Sequence, residues 1–163
     1  MTTTKSGSAT VTLPSDTQIL ITREFGAPRH RVFRVWSTPD LVQKWWAGKR
    51  GATTTVDMDF RVGGTWRYVL ISNSGDEVAF HGEYLEIVPD QRVVWTENFE
   101  GPWPEGDPVV NTLTLTERDG RTILDLLSDC PDHEVRDMIV NSDMETGMQE
   151  QMVIIAELAA ALE

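Results

Sequence analysis

The sequence predicts an α+β domain, in which a curved antiparallel sheet grips one long C-terminal helix and two short helices follow the first strand. Three observations carry this. A strand-like run ends at Ala27-Pro28 and gives way to two short amphipathic segments. From about residue 52 to 129 the apolar period is two, with no helical stretch to serve as a crossover between parallel strands. After Pro131 the period turns helical and stays so to the end. A sheet curved around one helix leaves a space between them. That space is the main functional feature this chain offers.

The elements follow in order. Residues 1–16, MTTTKSGSATVTLPSD, read as a flexible polar tail with no apolar core of a secretory signal. Residues 17–163 read as a single domain. Thr17 to Phe25 alternates and is bounded by Asp16 and Gly26, which predicts a strand. Pro28 suits the first turn of a helix over 28–36, with Val32, Phe33, Val35 and Trp36 at helical spacing. Ser37-Thr38-Pro39 breaks it. Thr38 or Asp40 can cap a second helix to residue 46, carrying Leu41, Val42, Trp45 and Trp46.

Strands are then expected over 52–60, 64–72, 78–88, 91–99, 109–118 and 121–129. Their turns are Val62-Gly63-Gly64, Ser72 to Asp76, Pro89-Asp90-Gln91 and Arg118-Asp119-Gly120. Gly101 to Pro108 is a Pro/Gly-rich loop. Asp132–Val140 makes one short helix. Ser142 and Glu145 have capping-box spacing, so a new helix is expected over 142–162. Its stripe is Met144, Met148, Met152 (with Gln151), Ile155 and Leu158 or Ala159. Gly147 inside it costs about 1 kcal/mol against alanine, which points to close packing there.

Composition bounds the partners. The 163 residues suit one domain, with 40% hydrophobic and 25% charged residues, a globular balance. No run nears the roughly 18 apolar residues of a membrane span, so no membrane insertion is expected. A net charge of −12 opposes nucleic-acid binding, which needs a basic face. The single cysteine, Cys130, gives no internal disulfide and fits a reducing cytoplasm.

Reactive motifs are absent. His30, His81 and His133 are scattered; His81 and Glu83 share a strand face, but no second ligand pair accompanies them, so no metal or cofactor is expected. Cys130 precedes Pro131 with no helix N-terminus to activate it. There is no Gly-x-Ser-x-Gly elbow, and Gly63-Gly64 lacks the lysine and helix of a phosphate loop. Glu86, Glu97 and Asn98 sit among apolar strand residues. An inward carboxylate there would have a raised pKa and could serve as acid or base. Parity alone does not say which face inward, since one bulge flips it. Lys44, Lys49, Arg50, Arg61 and Arg67 read as solvated.

The cavity is the stronger signal. Six tryptophans, Trp36, Trp45, Trp46, Trp66, Trp95 and Trp103, are heavy use for this length. Much of that is core filling. A small-molecule site is walled by the same side chains plus a few polar groups. The sheet offers Trp66, Tyr68, Phe80, Tyr84, Trp95 and Leu113. The last helix offers Met144, Met148 and Met152, whose thioethers make an adaptable wall. Trp46 and Pro102-Trp103-Pro104 are placed at the mouth.

The segments REFGAPRHRVFRVWSTPDLVQKWW, RVGGTWRYV, FHGEYLEIVPDQRVVWT, LTERDGRTILDL and METG together carry a family likeness. Over residues 17–162 the chain resembles the SRPBCC superfamily (START and birch-pollen-allergen folds). Within it, the chain resembles homologues of the C-terminal domain of the heat-shock-protein ATPase activator (Aha-type). Asp143 departs from that pattern, which places a glycine before Met-Glu. The resemblance implies a helix-grip fold: a seven-stranded antiparallel sheet around the C-terminal helix. It also implies a cavity that in various members holds lipids, polyketides, hormones or other apolar molecules. Three functions follow in order. The first is binding of an apolar or aromatic small molecule by a monomer or homodimer. The second is a cyclase, dehydratase or hydrolase acting in the same cavity. The third is a chaperone-ATPase-activator-like interaction module, ranked last because the eukaryotic-type activators carry a separate N-terminal domain.

Overall fold

The computed structural model describes residues 9–100 and 106–162. Its elements are β1 (Thr10–Thr12), β2 (Gln18–Phe25), α1 (Arg29–Ser37), α2 (Pro39–Trp45), β3 (Gly51–Met58), β4 (Thr65–Ser72) and β5 (Glu77–Val88). They continue with β6 (Arg92–Glu100), β7 (Val109–Arg118), β8 (Arg121–Asp129), α3 (His133–Asn141) and α4 (Met144–Ala161). The sheet runs β1-β2-β8-β7-β6-β5-β4-β3 and every pairing is antiparallel. β3 to β8 form a meander. β2 closes onto its last strand, so α1 and α2 connect one end of the sheet to the other. α4 lies in the concave face.

The sheet has eight strands, not seven. The additional one is β1, inside the stretch expected to be a loose tail. It pairs with β2 through Thr10↔Thr22, Val11↔Ile21 and Thr12↔Leu20. Gln149 of α4 anchors it, donating to the Ala9 carbonyl (2.8 Å) and accepting from the Ala9 amide (3.1 Å). Three residues are too few to display a period of two, and the helix that anchors them is distant in sequence. Residues 1–8 lie outside the described set.

The register stacks the concave side chains in layers. Phe25 faces Thr122. Next come Arg23, Leu124 and Leu115, then Ile21, Leu126, Leu113 and Val93. A fourth layer crosses five strands as Ile19, Ser128, Asn111, Trp95 and Tyr84. A fifth pairs Val109 with Glu97. Two bulges, at Thr53/Thr55 and Tyr84/Glu86, bend the sheet. The second sets Leu85 outside the ladder, 45% exposed, and returns Ile87 opposite Val93.

The start of α4 differs from expectation. Ser142 is not its cap: it ends α3, its hydroxyl donating to the Ile139 carbonyl (2.6 Å). The N-cap is Asp143, with no side-chain bond to the helix backbone and a left-handed φ of 62°. That conformation favours glycine, with Asp and Asn the next most tolerant. This is a physical reason for a glycine in the family pattern and for an aspartate here. Thr38 is likewise the N-cap of α2 without a side-chain cap bond; Pro39 occupies the first helical turn instead. Gly147 packs against neither the sheet nor open space. A Cβ there would sit 2.8 Å from the Arg50 guanidinium. Arg50, expected to be solvated, donates to the Asp143 carbonyl and so holds the α2–β3 loop against α4.

Candidate functional site

Between the sheet and α4 lies a cavity of about 250 Å³. Its floor is the third, fourth and fifth layers of the sheet. Phe25, Thr122, Leu124 and Leu115, in the first two layers, do not border it. Its roof is Met144, Met148, Gln151, Met152 and Ile155 of α4, with Ile139 of α3 at one side. Trp36 of α1, Trp45 and Trp46 at the end of α2, and Trp66, Tyr68 and Phe60 around β4 close the remaining wall.

Each ring is placed by a local feature. The β5–β6 ladder skips Gly82 and Glu83, between His81↔Asn98 and Tyr84↔Trp95. Thr96 of β6 uses the gap: its carbonyl accepts from Trp66 Nε1 (3.0 Å) and its hydroxyl from the Glu83 amide (3.0 Å). Gly82 makes this possible, since a Cβ there would lie 1.8 Å from the Thr96 carbonyl oxygen. Trp45 is locked by its Nε1 donating to the Val35 carbonyl (3.0 Å). Gln151 of α4 donates to the Trp46 carbonyl and ties the roof to the wall. The rings then touch in two runs. Trp45, Trp36 and Trp95 meet at centroid distances of 4.6 and 6.1 Å. Trp66, Tyr68 and Trp46 meet at 4.7 and 5.4 Å.

Of the ten residues proposed from sequence, nine border this one cavity: Trp46, Trp66, Tyr68, Tyr84, Trp95, Leu113, Met144, Met148 and Met152. Phe80 does not. It shares the concave face with its register partner Tyr68, but its ring lies beyond the cavity edge against Trp46 (5.6 Å) and Phe99 (5.1 Å). Trp103 and its flanking prolines fall outside the described residues. All five other tryptophans border the cavity.

Three polar side chains enter the floor from neighbouring strands. Ser128 Oγ donates to Asn111 Oδ1 (2.6 Å), and Asn111 Nδ2 donates to Glu97 Oε1 (2.9 Å). Of the three strand residues considered for an inward role, Glu97 alone faces the cavity. Glu86 is exposed and pairs with Arg92 (3.3 Å), displaced by the Tyr84/Glu86 bulge. Asn98 opposes His81 on the outer face, where Arg67, Glu100 and His81 form an ion cluster. Glu97 keeps some accessible area, yet protein surrounds its carboxyl closely. Burial raises its pKa above the usual carboxylate value, and the Asn111 bond opposes that only in part. Burial also pushes the Tyr84 phenol up to about 12 and Tyr68 well above its ordinary value.

The chemistry on offer is recognition with one acid–base group. Cys130 is buried, and burial with nearby Asp129 pushes its thiol up to about 11, the wrong direction for a nucleophile. Among the described residues, no three or more His, Cys, Asp or Glu are grouped to hold a metal ion. No described helix is long and apolar enough to cross a membrane.

Asn111, Ser128 and Gln151 were not foreseen as site residues, nor were Ile19, Ile21, Trp36, Trp45 and Phe60. A signal existed for the first two. In Asn111-x-Leu113-x-Leu115 and Leu124-x-Leu126-x-Ser128 a polar residue occupies the apolar parity of a strand. Arg23 interrupts Ile19-x-Ile21 in the same way. It is 6% exposed, donates to the Met152 carbonyl (3.1 Å) and lies over the Phe25 ring (4.6 Å).

Comparison with known proteins agrees with this architecture. The family described as Activator of Hsp90 ATPase homolog 1-like protein matches residues 26–163. Protein Ms6760 from Mycobacterium smegmatis superposes with a TM-score of 0.84 at 24% identity, covering 95% of this chain and 99% of its own. Protein CV1439 from Chromobacterium violaceum gives 0.79 at 27% identity, covering 89% and 98%. A protein from Arthrobacter aurescens, solved in solution, gives 0.83 at 22% identity, covering 94% and 92%. Among curated proteins none matches the chain. The chain belongs to the Activator of Hsp90 ATPase homolog 1-like family.

Proposed function

We propose that this family member binds a small apolar or aromatic molecule in the cavity between the sheet and α4. The supporting observation is the 250 Å³ space itself, walled by five tryptophans, two tyrosines and three methionines. A well-packed core leaves few voids larger than a water molecule. An engineered apolar cavity of about 150 Å³ takes up benzene, so this one suits a molecule of one or two rings. The methionines let the roof adapt to shape.

The test is uptake. Apolar aromatic probes should quench the tryptophan fluorescence with saturation. Met148→Trp should fill the space and abolish uptake while circular dichroism and cooperative unfolding persist, at a cost of about 1–3 kcal/mol for overpacking. A folded Met148→Trp variant that binds as well as the parent would refute this placement. Failure of the parent to bind any of a varied probe set would refute the function.

A second reading, catalysis in the same cavity, is favoured by Glu97, a cavity-facing carboxyl group whose burial raises its pKa toward the range in which a general acid or base works. It requires a bound molecule to emerge changed, which mass spectrometry of probes after incubation would detect.

A further inference from the structure

Building on the reading of the cavity as a ligand site, we propose that its occupant is a small apolar amine, with the amino group held on Glu97 and the hydrocarbon frame against the tryptophans.

The lining is asymmetric in charge. Among the described residues it contains one carboxylate and no lysine, arginine or histidine. An anionic ligand would enter without a counter-charge and face Glu97, and burying an unpaired charge is strongly unfavourable. An ammonium finds its counter-ion in place. The ring walls act in the same direction, because the faces of indole and phenol rings are negative and attract cations. So does the whole protein, whose net charge of −12 concentrates cations around it.

The carboxylate is also oriented for such a partner. Ser128 fixes the Asn111 amide by donating to its oxygen, so that the amide nitrogen must present a hydrogen to Glu97. That uses Oε1. Oε2 receives no hydrogen bond from the described residues, and it is not one of the polar atoms sealed away from the surface. Three strands therefore hold one carboxylate by one oxygen and leave the other for a donor. The raised pKa of Glu97 has the same origin: apolar surroundings with a single hydrogen-bond donor leave the charge under-compensated, and an ammonium supplies what is missing.

A probe series on one rigid frame separates the possibilities: indane, 2-aminoindane, 2-indanol and indane-2-carboxylate, titrated calorimetrically into the intact protein at neutral pH. The amine is expected to bind about tenfold or more tighter than indane, the alcohol to fall between them, and the carboxylate to bind weakest. Glu97→Gln keeps an acceptor for Asn111 but removes the charge, and should bring the amine-to-indane ratio to within about twofold. If indane binds and the amine binds no better, or if the carboxylate binds tightest, the amine assignment is overturned while the cavity remains a ligand site. An alcohol equal to the amine also overturns it, because a neutral hydrogen bond then suffices. If no member of the series binds, both the assignment and the ligand site fall. Should Glu97→Gln not fold, the parent's own ordering of the four probes decides.

Discussion

The two ends of the interior share strands β7 and β8 and behave differently. At the closed end, where α1 packs on β7 and β8, Phe25, Thr122, Leu124 and Leu115 are 0 to 2% exposed. The polar atoms there are spent inside the protein. Thr122 donates to the Ala27 carbonyl (2.7 Å) and Arg23 to the Met152 carbonyl. At the open end β6, β7 and β8 present Trp95, Asn111, Ser128 and Glu97, the helix presents methionines, and one carboxylate oxygen receives no donor from the described residues. The difference teaches where to look for function in a fold of this kind. Both ends contain buried polar groups, so burial of a polar residue alone marks nothing. What marks the open end is a polar group whose hydrogen bonding the protein leaves incomplete, beside space that side chains do not fill.

The strongest way to break this contrast is Gly82→Ala. The added Cβ would meet the Thr96 carbonyl oxygen at 1.8 Å and Trp66 Nε1 at 2.7 Å, which β5 and β6 can relieve only by separating. The expected loss exceeds about 3 kcal/mol, above the usual range for overpacking, or the variant fails to fold. A denaturant midpoint near the parent's would show that the ladder gap around Gly82 is soft and that the open end has no rigid wall.

A paired truncation sharpens the comparison. Leu124→Ala at the closed end should cost about 3–4 kcal/mol, near the middle of the range for a packed leucine. Met148→Ala at the open end should cost about 2 kcal/mol, because its side chain already borders empty space and has fewer neighbours to lose. Equal losses in urea titrations would mean that the two ends are equally well packed. Trp66→Ala is intermediate in kind. It removes a ring that is 4% exposed and hydrogen-bonded, and should cost on the order of 3 kcal/mol.

The smallest expected effect is that of Glu97→Gln on stability, and its sign depends on pH. Glu97 has a folded-state pKa above its unfolded value near 4.5. Between those values the folded protein holds a proton that the unfolded chain has lost, so stability falls as pH rises through that window. The glutamine variant lacks this penalty. It should gain on the parent by about 1 kcal/mol at neutral pH and by little at pH 4. Tyr68 and Tyr84, whose phenols stay protonated throughout, and Cys130, raised to about 11, add no titration of their own in that range. A parent and variant with parallel stability curves from pH 4 to 8 would contradict the environment assigned to Glu97.

Much of this was legible in the chain. Strand periods, the turns at Gly63-Gly64 and Asp119-Gly120, and the helical stripe from Met148 to Ala159 are written locally. Each depends on residues within a few positions of one another, and the observed elements follow them closely. The helical stripe gave the face of α4 that meets the sheet, and the aromatic strand residues gave most of the cavity's rings. What the chain did not display was everything that depends on distant partners. β1 exists because β2 has a free edge and Gln149 reaches Ala9. Asp143, not Ser142, opens α4 because the link from α3 needs a left-handed residue there, with Arg50 bonded to its carbonyl. Phe80 has the right parity and lies too far along the sheet. Glu97 could not be told from Glu86 or Asn98 until the bulge at Tyr84/Glu86 and the register of β6 on β7 set the parity. Local sequence determined the repeating elements because backbone hydrogen bonding and side-chain period are short-range. The tertiary structure decided which polar groups meet, because Ser128, Asn111 and Glu97 come together only through strand register, and register is set by the whole sheet.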